Sequence, residues 1–325
     1  MKRVFGDIGR RVVIAAPMAG YTDRVFRRFA RKFGADLTFT EMVSAEGLVH
    51  STKMTLKYIE YSPDEAPIGI QFFTASPEYM RQAASMVKDL GFSVIDINMG
   101  CPVRKVMKKG AGAALLANPA VALKVVEAAK SAGLPVSVKI RCGVKSCAEW
   151  ENIKRFVAEL EKIGIEFLTI HPRSAAQMYS GESDWRIIRD AVQSFSLPII
   201  GSGDLLDIDA VRKRVEFAAP AGVMIARGAI ANFEIFAQVR AWFEGKPIPR
   251  FSLADRARTL LEFIRQEVEF RGETQAVKWS RKFLSKLFRG FPGASNFRAQ
   301  LDRLETLAQV EGLLRPLMGS KFSDF

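Results

Sequence analysis

Cysteine and histidine are scarce: three Cys (101, 142 and 147) and two His (50 and 171) in 325 residues. That set makes neither a disulfide framework nor a convincing zinc site, so no metal is expected. Thiols this few point to a reducing compartment. Long apolar runs are also missing. The first, 12–16, stops after five residues at Pro17, short of the roughly 7–15 apolar residues of a secretory signal. Nothing approaches the roughly 20 that span a bilayer. A cytoplasmic protein with no membrane partner is expected. Acidic residues fall short of basic ones, 35 Asp and Glu against 48 Lys and Arg. The net charge of +13 points to a polyanionic partner, of which nucleic acid is the commonest.

What is present is an alternation of short apolar runs and helical stretches. Runs at 12–16, 37–40, 68–73, 94–97, 136–140, 165–170, 198–200 and 222–225 read as strands, with helices between most of them, as at 23–33, 77–90, 118–132 and 147–163. Asp23 is a candidate N-cap and Gly34 a stop for the first of these helices. Strands apolar along their whole length are buried on both faces, as parallel strands are. Eight successive βα units in about 245 residues predict an α/β fold, the (β/α)8 TIM barrel. An open doubly wound sheet is the competing arrangement, but no G-x-G-x-x-G fingerprint follows any strand.

Near Gly245 the pattern changes. Lys246-Pro247-Ile248-Pro249 reads as a linker, and helices are expected over 252–270, 274–288 and 298–318, the last two parted by Gly290-Phe291-Pro292-Gly293. The expected organisation is a catalytic barrel over 1–245 followed by a small helical bundle over 246–325. Within 274–288, Lys278, Lys282 and Lys286 recur at i, i+4 spacing, with Arg281 among them. Between positions 271 and 303 there are eight basic residues and two acidic ones, a one-sided charge that fits a grip on nucleic acid. Arg24, Arg28 and Arg31 also share a helix face, which a merely solvated surface explains equally well.

Barrels of this kind place their active sites at the C-terminal ends of the strands. There the sequence sets Met18, Glu41, Gln71, Asn98, Lys139, His171, Ser202 and Arg227, and Cys101 follows the fourth strand between Gly100 and Pro102. Taken singly each has a plain explanation: a buried structural thiol, a solvated lysine, a hydrogen-bonded core histidine. Their joint placement on one rim is harder to dismiss. Ser202-Gly203-Asp204 and Ala226-Arg227-Gly228 offer backbone N–H groups and a guanidinium where such barrels often bind phosphate. Lys139 and Gln71 can reach the polar edge of a ring. The set fits a flat phosphorylated cofactor, FMN ahead of pyridoxal phosphate or a sugar phosphate.

Several segments resemble those of one family. Ala16-Pro17-Met18-Ala19-Gly20-Tyr21-Thr22-Asp23, Thr40-Glu41-Met42-Val43-Ser44-Ala45, Asp96 to Val103, Val138-Lys139-Ile140-Arg141, His171-x-Arg173, the Gly203-Asp204 turn and the stretch from Arg281 to Arg298 are similar to motifs of the bacterial, FMN-dependent tRNA-dihydrouridine synthases. The resemblance implies FMN held by Ala16, Pro17, Met18, Gln71, Lys139 and His171, with its phosphate end on Ser202, Gly203, Asp204, Ala226 and Arg227. It implies NADPH or NADH as reductant, a uridine of tRNA as substrate, reduction of its 5,6 double bond, and Cys101 as proton donor. Asn98, with Arg141 and Arg173, is implied to hold the target base. Lys278, Arg281, Lys282 and Lys286 of the helical region are implied to hold tRNA. Pro172, Ser202 and Ala226 depart from the usual Gly or Ala, Asn and Gly. A monomer is expected. Two other readings stay open: a small-molecule FMN oxidoreductase of the dihydroorotate or enoate type, which needs no basic helical appendage, and a tRNA-binding protein without chemistry. Cys142 and Cys147 are expected to be structural.

Overall fold

Eight parallel strands, β1 (Val12–Ala15), β2 (Thr38–Ser44), β3 (Ile68–Phe73), β4 (Val94–Met99), β5 (Val136–Arg141), β6 (Phe167–His171), β7 (Ile199–Ser202) and β8 (Gly222–Ile225), form one sheet in the computed structural model, which describes residues 1–7, 9–288 and 294–319. Each pairs with its neighbours in sequence, and β8 pairs with β1. The Ala15 N–H donates to the Leu37 carbonyl (3.0 Å) and the Asp36 N–H to that of Val13 (2.7 Å), so β1 meets the lead into β2 and the ring closes. This is the (β/α)8 barrel expected from the apolar runs.

Side-chain alternation along the strands divides the core. Val12, Ile14 and Ala16 point inward with Leu37, Phe39, Val94, Phe167, Ile200 and Met224 and fill the barrel. Val13 and Ala15 point outward into the layer beneath the helices. With the interior packed, chemistry is confined to the C-terminal mouth. β2 runs past its expected end at Thr40 and shifts register between Phe39 and Met42, the irregularity of a β-bulge, at Glu41. The Arg24–Lys32 helix starts where expected, with the Asp23 carboxylate accepting from the Phe26 N–H.

Beyond β8 the chain adds the helices Glu234–Phe243, Leu253–Arg271, Glu273–Leu287, Ala294–Leu301 and Leu307–Gly319. The single helix expected over 298–318 is therefore two. Thr306 and Gln309 form a reciprocal cap, each side chain accepting the other's backbone N–H, which starts a new helix at Leu307. Arg289 and the Gly290-Phe291-Pro292-Gly293 break lie outside the described residues. Phe26 and Phe29 of the Arg24–Lys32 helix meet Phe233, Phe263 and Phe283 in a chain of ring contacts, with separations of 5.0–5.3 Å along it. Each buried phenylalanine stabilises by about 1.5–3 kcal/mol, and one hydrophobic core runs without a break from the barrel into the later helices.

Two of the three thiols are not free. Cys142 and Cys147 are joined in a disulfide. β5 ends at Arg141, and the short turn Cys147–Glu149 folds back on it. The two Cα atoms lie 5.0 Å apart, within reach of a bridge. Cys101 is free. No described helix is long and apolar enough to cross a membrane.

Candidate active site

A cavity of about 450 Å³ opens at the C-terminal ends of the strands. Of the residues singled out from sequence, Ala16, Pro17, Met18, Gln71, Asn98, Cys101, Lys139, Arg141, His171, Ser202, Gly203, Asp204, Ala226, Arg227 and Lys286 line it. Arg173 lies behind the wall, and Lys278, Arg281 and Lys282 lie outside it.

The loop that carries Cys101 is built on one amide. Asn98 Oδ1 accepts from the backbone N–H groups of Gly100 (3.2 Å) and Cys101 (2.9 Å). This is the short local bonding that Asn side chains favour at turns. The Cys101 carbonyl accepts from the Ala113 N–H at 3.0 Å. A Cβ at Gly112, whose φ is +63°, would stand 2.7 Å from that carbonyl, so only glycine lets the next segment close on the loop. Arg141 donates to the carbonyls of Gly100, Ser174 and Met178, which ties this loop to the one after β6. Burial pushes the Cys101 thiol above its ordinary pKa, against weaker pulls from the Val103 N–H and from Arg141 and Lys139. The group is a protonated, half-buried thiol.

Beneath the cavity floor a chain of hydrogen bonds crosses the sheet. Asn98 Nδ2 donates to Gln71 Oε1 (2.9 Å), Gln71 Nε2 to Asp96 Oδ2 (2.7 Å), and Ser137 Oγ to Asp96 Oδ1 (2.6 Å). Asp96 is fully buried, and burial raises it to about 6, with Ser137, Gln71 and Lys139 holding it lower than burial alone would. The chain fixes both ends of the Gln71 amide and, through Asn98, the seat of the thiol.

The opposite wall is cationic. Asp204 accepts from Arg173 (2.7 Å) and Arg227 (3.0 Å). Burial works to raise the Asp204 pKa, but the Ser183 N–H and Arg173 outweigh it and hold the carboxylate below its usual value. Lys139 is lowered to about 8, by burial first and then by Arg141, against Asp96. Among the described residues its ammonium donates to no protein group. His171 is lowered to about 2, by burial and then by Lys139, Arg141, Arg173 and Arg227. Arg173 Nη1 stands 3.3 Å from His171 Nε2. A guanidinium only donates, so Nε2 accepts and the proton sits on Nδ1. Among the described residues Ser183 Oγ is buried without a hydrogen-bond partner; it lies beside Gly203, where φ is +115° and a Cβ would press on His171 and Ser183 at 3.0 Å.

Such a wall asks for an anion. A lone ammonium, a neutral imidazole among four cations and an orphaned hydroxyl beside a glycine turn are complementary to a phosphorylated ligand with an electron-rich ring edge. The donor set fits FMN.

The later helices close one side of the mouth. Lys282 donates to the Gly20 carbonyl and lies over the rings of Tyr21 (4.1 Å) and Trp279 (4.2 Å). Trp279 Nε1 donates to the same carbonyl at 3.2 Å. Lys286 is exposed on the cavity rim and Lys278 is exposed further along the same helix. Arg281 is turned inward and donates to the Leu304 carbonyl at 2.7 Å. On the first barrel helix Arg24 and Arg27 reach Glu65, Arg28 pairs with Asp64, and Arg31 donates to the Ala35 carbonyl, so all four have partners within the chain.

Two contributors escape a reading of the sequence. Tyr179 and Met178, on the loop after β6, line the cavity, and Tyr179 lies under the guanidinium groups of Arg227 (4.8 Å) and Arg141 (5.7 Å). Their loop has no periodicity to mark it. Asp96 carried a signal, an acid inside an apolar strand.

The chain is similar to several known proteins. The sequence pattern described as "Dihydrouridine synthase (Dus)" matches residues 13–321. The chain is 36% identical over 318 residues to the "Probable tRNA-dihydrouridine synthase" of Treponema pallidum, covering 93% of this chain and 92% of that protein. It is 35% identical over 300 residues to the "tRNA-dihydrouridine synthase B" of Pseudomonas aeruginosa, covering 90% and 88%. It is 33% identical over 309 residues to the "Probable tRNA-dihydrouridine synthase 1" of a Synechocystis strain, covering 93% and 85%. Among solved structures, a 2-naphthoyl-CoA reductase shares the fold with a TM-score of 0.55 at 11% identity, over 75% of this chain and 51% of that one.

Proposed function

We propose, from the premise that the chain belongs to the dihydrouridine synthase family, that it is an FMN-dependent oxidoreductase reducing the 5,6 double bond of uridine in tRNA. The observation that carries this reading is the free thiol of Cys101, kept protonated on the lip of a cavity whose other wall is cationic. FMN, reduced by NADPH or NADH, would supply the hydride for carbon 6 of the uracil. The protein's own part is to bind, orient and move a proton.

Cys101 delivers the proton that carbon 5 takes up as the double bond is lost, and the thiolate left behind recovers its proton from water at the mouth. A general acid must be in its protonated form, so a raised pKa serves it, whereas a nucleophilic cysteine needs the reverse. Asn98 keeps the thiol in place through two backbone amides. Lys139, with the neutral His171, offers fixed positive charge and hydrogen bonding where negative charge gathers on a reduced ring. Arg227 and the Ser202–Gly203 turn hold the phosphate, with Asp204 locking the guanidinium groups in position. The target base has to leave its stack to enter the mouth. Exposed Lys278 and Lys286 hold the RNA backbone, and a monomer acting in the cytoplasm is part of the same proposal.

The direct test is incubation of the purified protein with NADPH and unmodified tRNA, followed by nucleoside analysis. Dihydrouridine and flavin absorbance bands are the expected result; a colourless protein that forms none contradicts it. A second expectation concerns pH. An anion bound beside Lys139 raises its pKa from about 8, so binding takes up a proton once the free protein has lost it. FMN affinity is then level below about pH 8 and falls above it, by at most tenfold per pH unit, as fluorescence titration of the apoprotein would read. A level affinity up to about pH 9.5 would exclude Lys139 from the site. A third concerns charge. Replacing Lys278 and Lys286 together by alanine should leave FMN bound and weaken tRNA binding about tenfold at low salt. The slope of log affinity against log salt should flatten by about 0.7–0.9 for each phosphate no longer neutralised.

A further inference from the structure

A second cavity, of about 430 Å³, lies between the Lys53–Ile59 helix and the Leu253–Arg271 and Glu273–Leu287 helices. It shares Ala19 with the first cavity as a common piece of wall. Nothing in the reaction above uses it. Its lining combines flat rings, the cations Arg24, Arg27, Lys57 and Arg271, and the acids Asp23, Glu41 and Glu60. Tyr58 and Phe270 stand there 38% and 48% exposed, outside the aromatic core that joins the barrel to the later helices. Trp279 is the third ring, held by its bond to Gly20 and by Arg271 at 4.3 Å. Arg24 is two-fifths exposed at the cavity and Lys57 is exposed. Glu41, which the register shift in β2 places at the cavity, accepts from the Gly20 N–H at 2.7 Å through one oxygen only.

We propose that this cavity receives a second, unstacked nucleobase of the same RNA strand, the neighbour of the target uridine. The inference rests on the tRNA reading above. Drawing one base into the barrel breaks the stack on either side of it, and the neighbour is left without a stacking partner. Proteins that hold single-stranded nucleic acid meet that need with aromatic surfaces for the bases and cations along the backbone. Tyr58 and Phe270 provide the first, beside a Trp279 ring already covered by Arg271 and Lys282, and Arg24 and Lys57 provide the second. The shared wall at Ala19 puts the two cavities one loop apart, a step that consecutive nucleotides of one strand can make. Among the described residues the other oxygen of Glu41 has no partner and can accept an amino or imino N–H, so a base presenting such a donor is favoured over one presenting carbonyls alone. The mixture of acid and base argues against a small anion, which Glu41 would repel.

The test uses the full enzyme and a tRNA transcript whose modified uridine has been mapped. Two further transcripts carry a single abasic nucleotide, one on each side of that uridine. Wild type is compared with Tyr58→Ala/Phe270→Ala, two exposed positions whose loss leaves the core intact; an unchanged melting temperature checks this. The variant should show kcat/KM about tenfold lower on intact tRNA. Wild type should lose about tenfold on one of the two abasic transcripts, and the variant should lose nothing further on that one. Tyr58→Phe/Phe270→Tyr, which keeps both rings, should restore wild-type behaviour. Equal, additive losses for both proteins, or a variant as fast as wild type on intact tRNA, overturn the second site and leave the enzyme's activity standing. Wild type that forms no dihydrouridine on the intact transcript overturns the reading beneath it, and the second site with it.

Discussion

Cys101→Ala retains its yellow colour and its affinity for tRNA, and forms dihydrouridine about a hundred- to ten-thousandfold more slowly, the range that loss of a positioned general acid produces. The loop does not collapse in this variant. Its conformation rests on the Asn98 amide and on the close approach of Gly112, neither of which involves the sulfur. No other acid can stand in from the same loop. Arg141, a cationic neighbour of the thiol, is committed to three carbonyls and does not give up a proton at any ordinary pH. Rapid mixing of the pre-reduced variant with tRNA isolates the chemical step. Reoxidation at the wild-type rate would remove Cys101 from the mechanism.

Lys139→Met, close to lysine in length, purifies without flavin. Lys139 is half-buried, lowered to about 8, and lacks a hydrogen-bond acceptor within the described residues. Such an ammonium is held at a cost until a ligand acceptor arrives. Removing one partner of a buried, charged hydrogen bond costs about 2–5 kcal/mol, or about 30- to several-thousandfold in affinity. The substitution also takes a counter-charge from Asp96, whose pKa then rises further, so the Gln71–Asp96–Ser137 chain persists around a neutral acid. Apoprotein titrated with FMN reads the loss directly. A Lys139→Met protein that is still yellow after dialysis would assign the ammonium to another task.

Much of this was visible beforehand for a physical reason. Parallel strands buried on both faces are written as unbroken apolar runs, and the residue that ends such a run marks the mouth of the barrel. Asn98 and His171 directly follow such runs, and Gln71 and Lys139 are the polar residues near the C-terminal ends of theirs. What was hidden depends on register. That Gln71 meets Asp96, and that Asn98 meets Gln71, follows from which residue of one strand lies beside which of the next. The lysine stripe of the Glu273–Leu287 helix shows the same limit. Spacing places Lys278, Lys282 and Lys286 on one face, but only the packing reveals that Lys282 is turned onto Gly20 while its two neighbours stay in solvent. The break before Leu307 was legible: Thr306 and Gln309 stand at capping-box spacing. Cys142 and Cys147 were missed as a pair because the fold-back that joins them is a turn of only a few residues.

The aromatic seam has a bearing on where this chain can be cut. Phe26, Phe29 and Phe233 belong to the barrel, Phe263 and Phe283 to the helices that follow, and all five are buried where the two groups meet. A chimera cut at the linker would inherit half of a packed joint from each parent. The packed unit is larger: the helices that carry Phe263 and Phe283 meet the Arg24–Lys32 helix and Phe233. A substitution in the first helix of the barrel therefore reaches the later helices through this joint, although the two lie far apart in sequence.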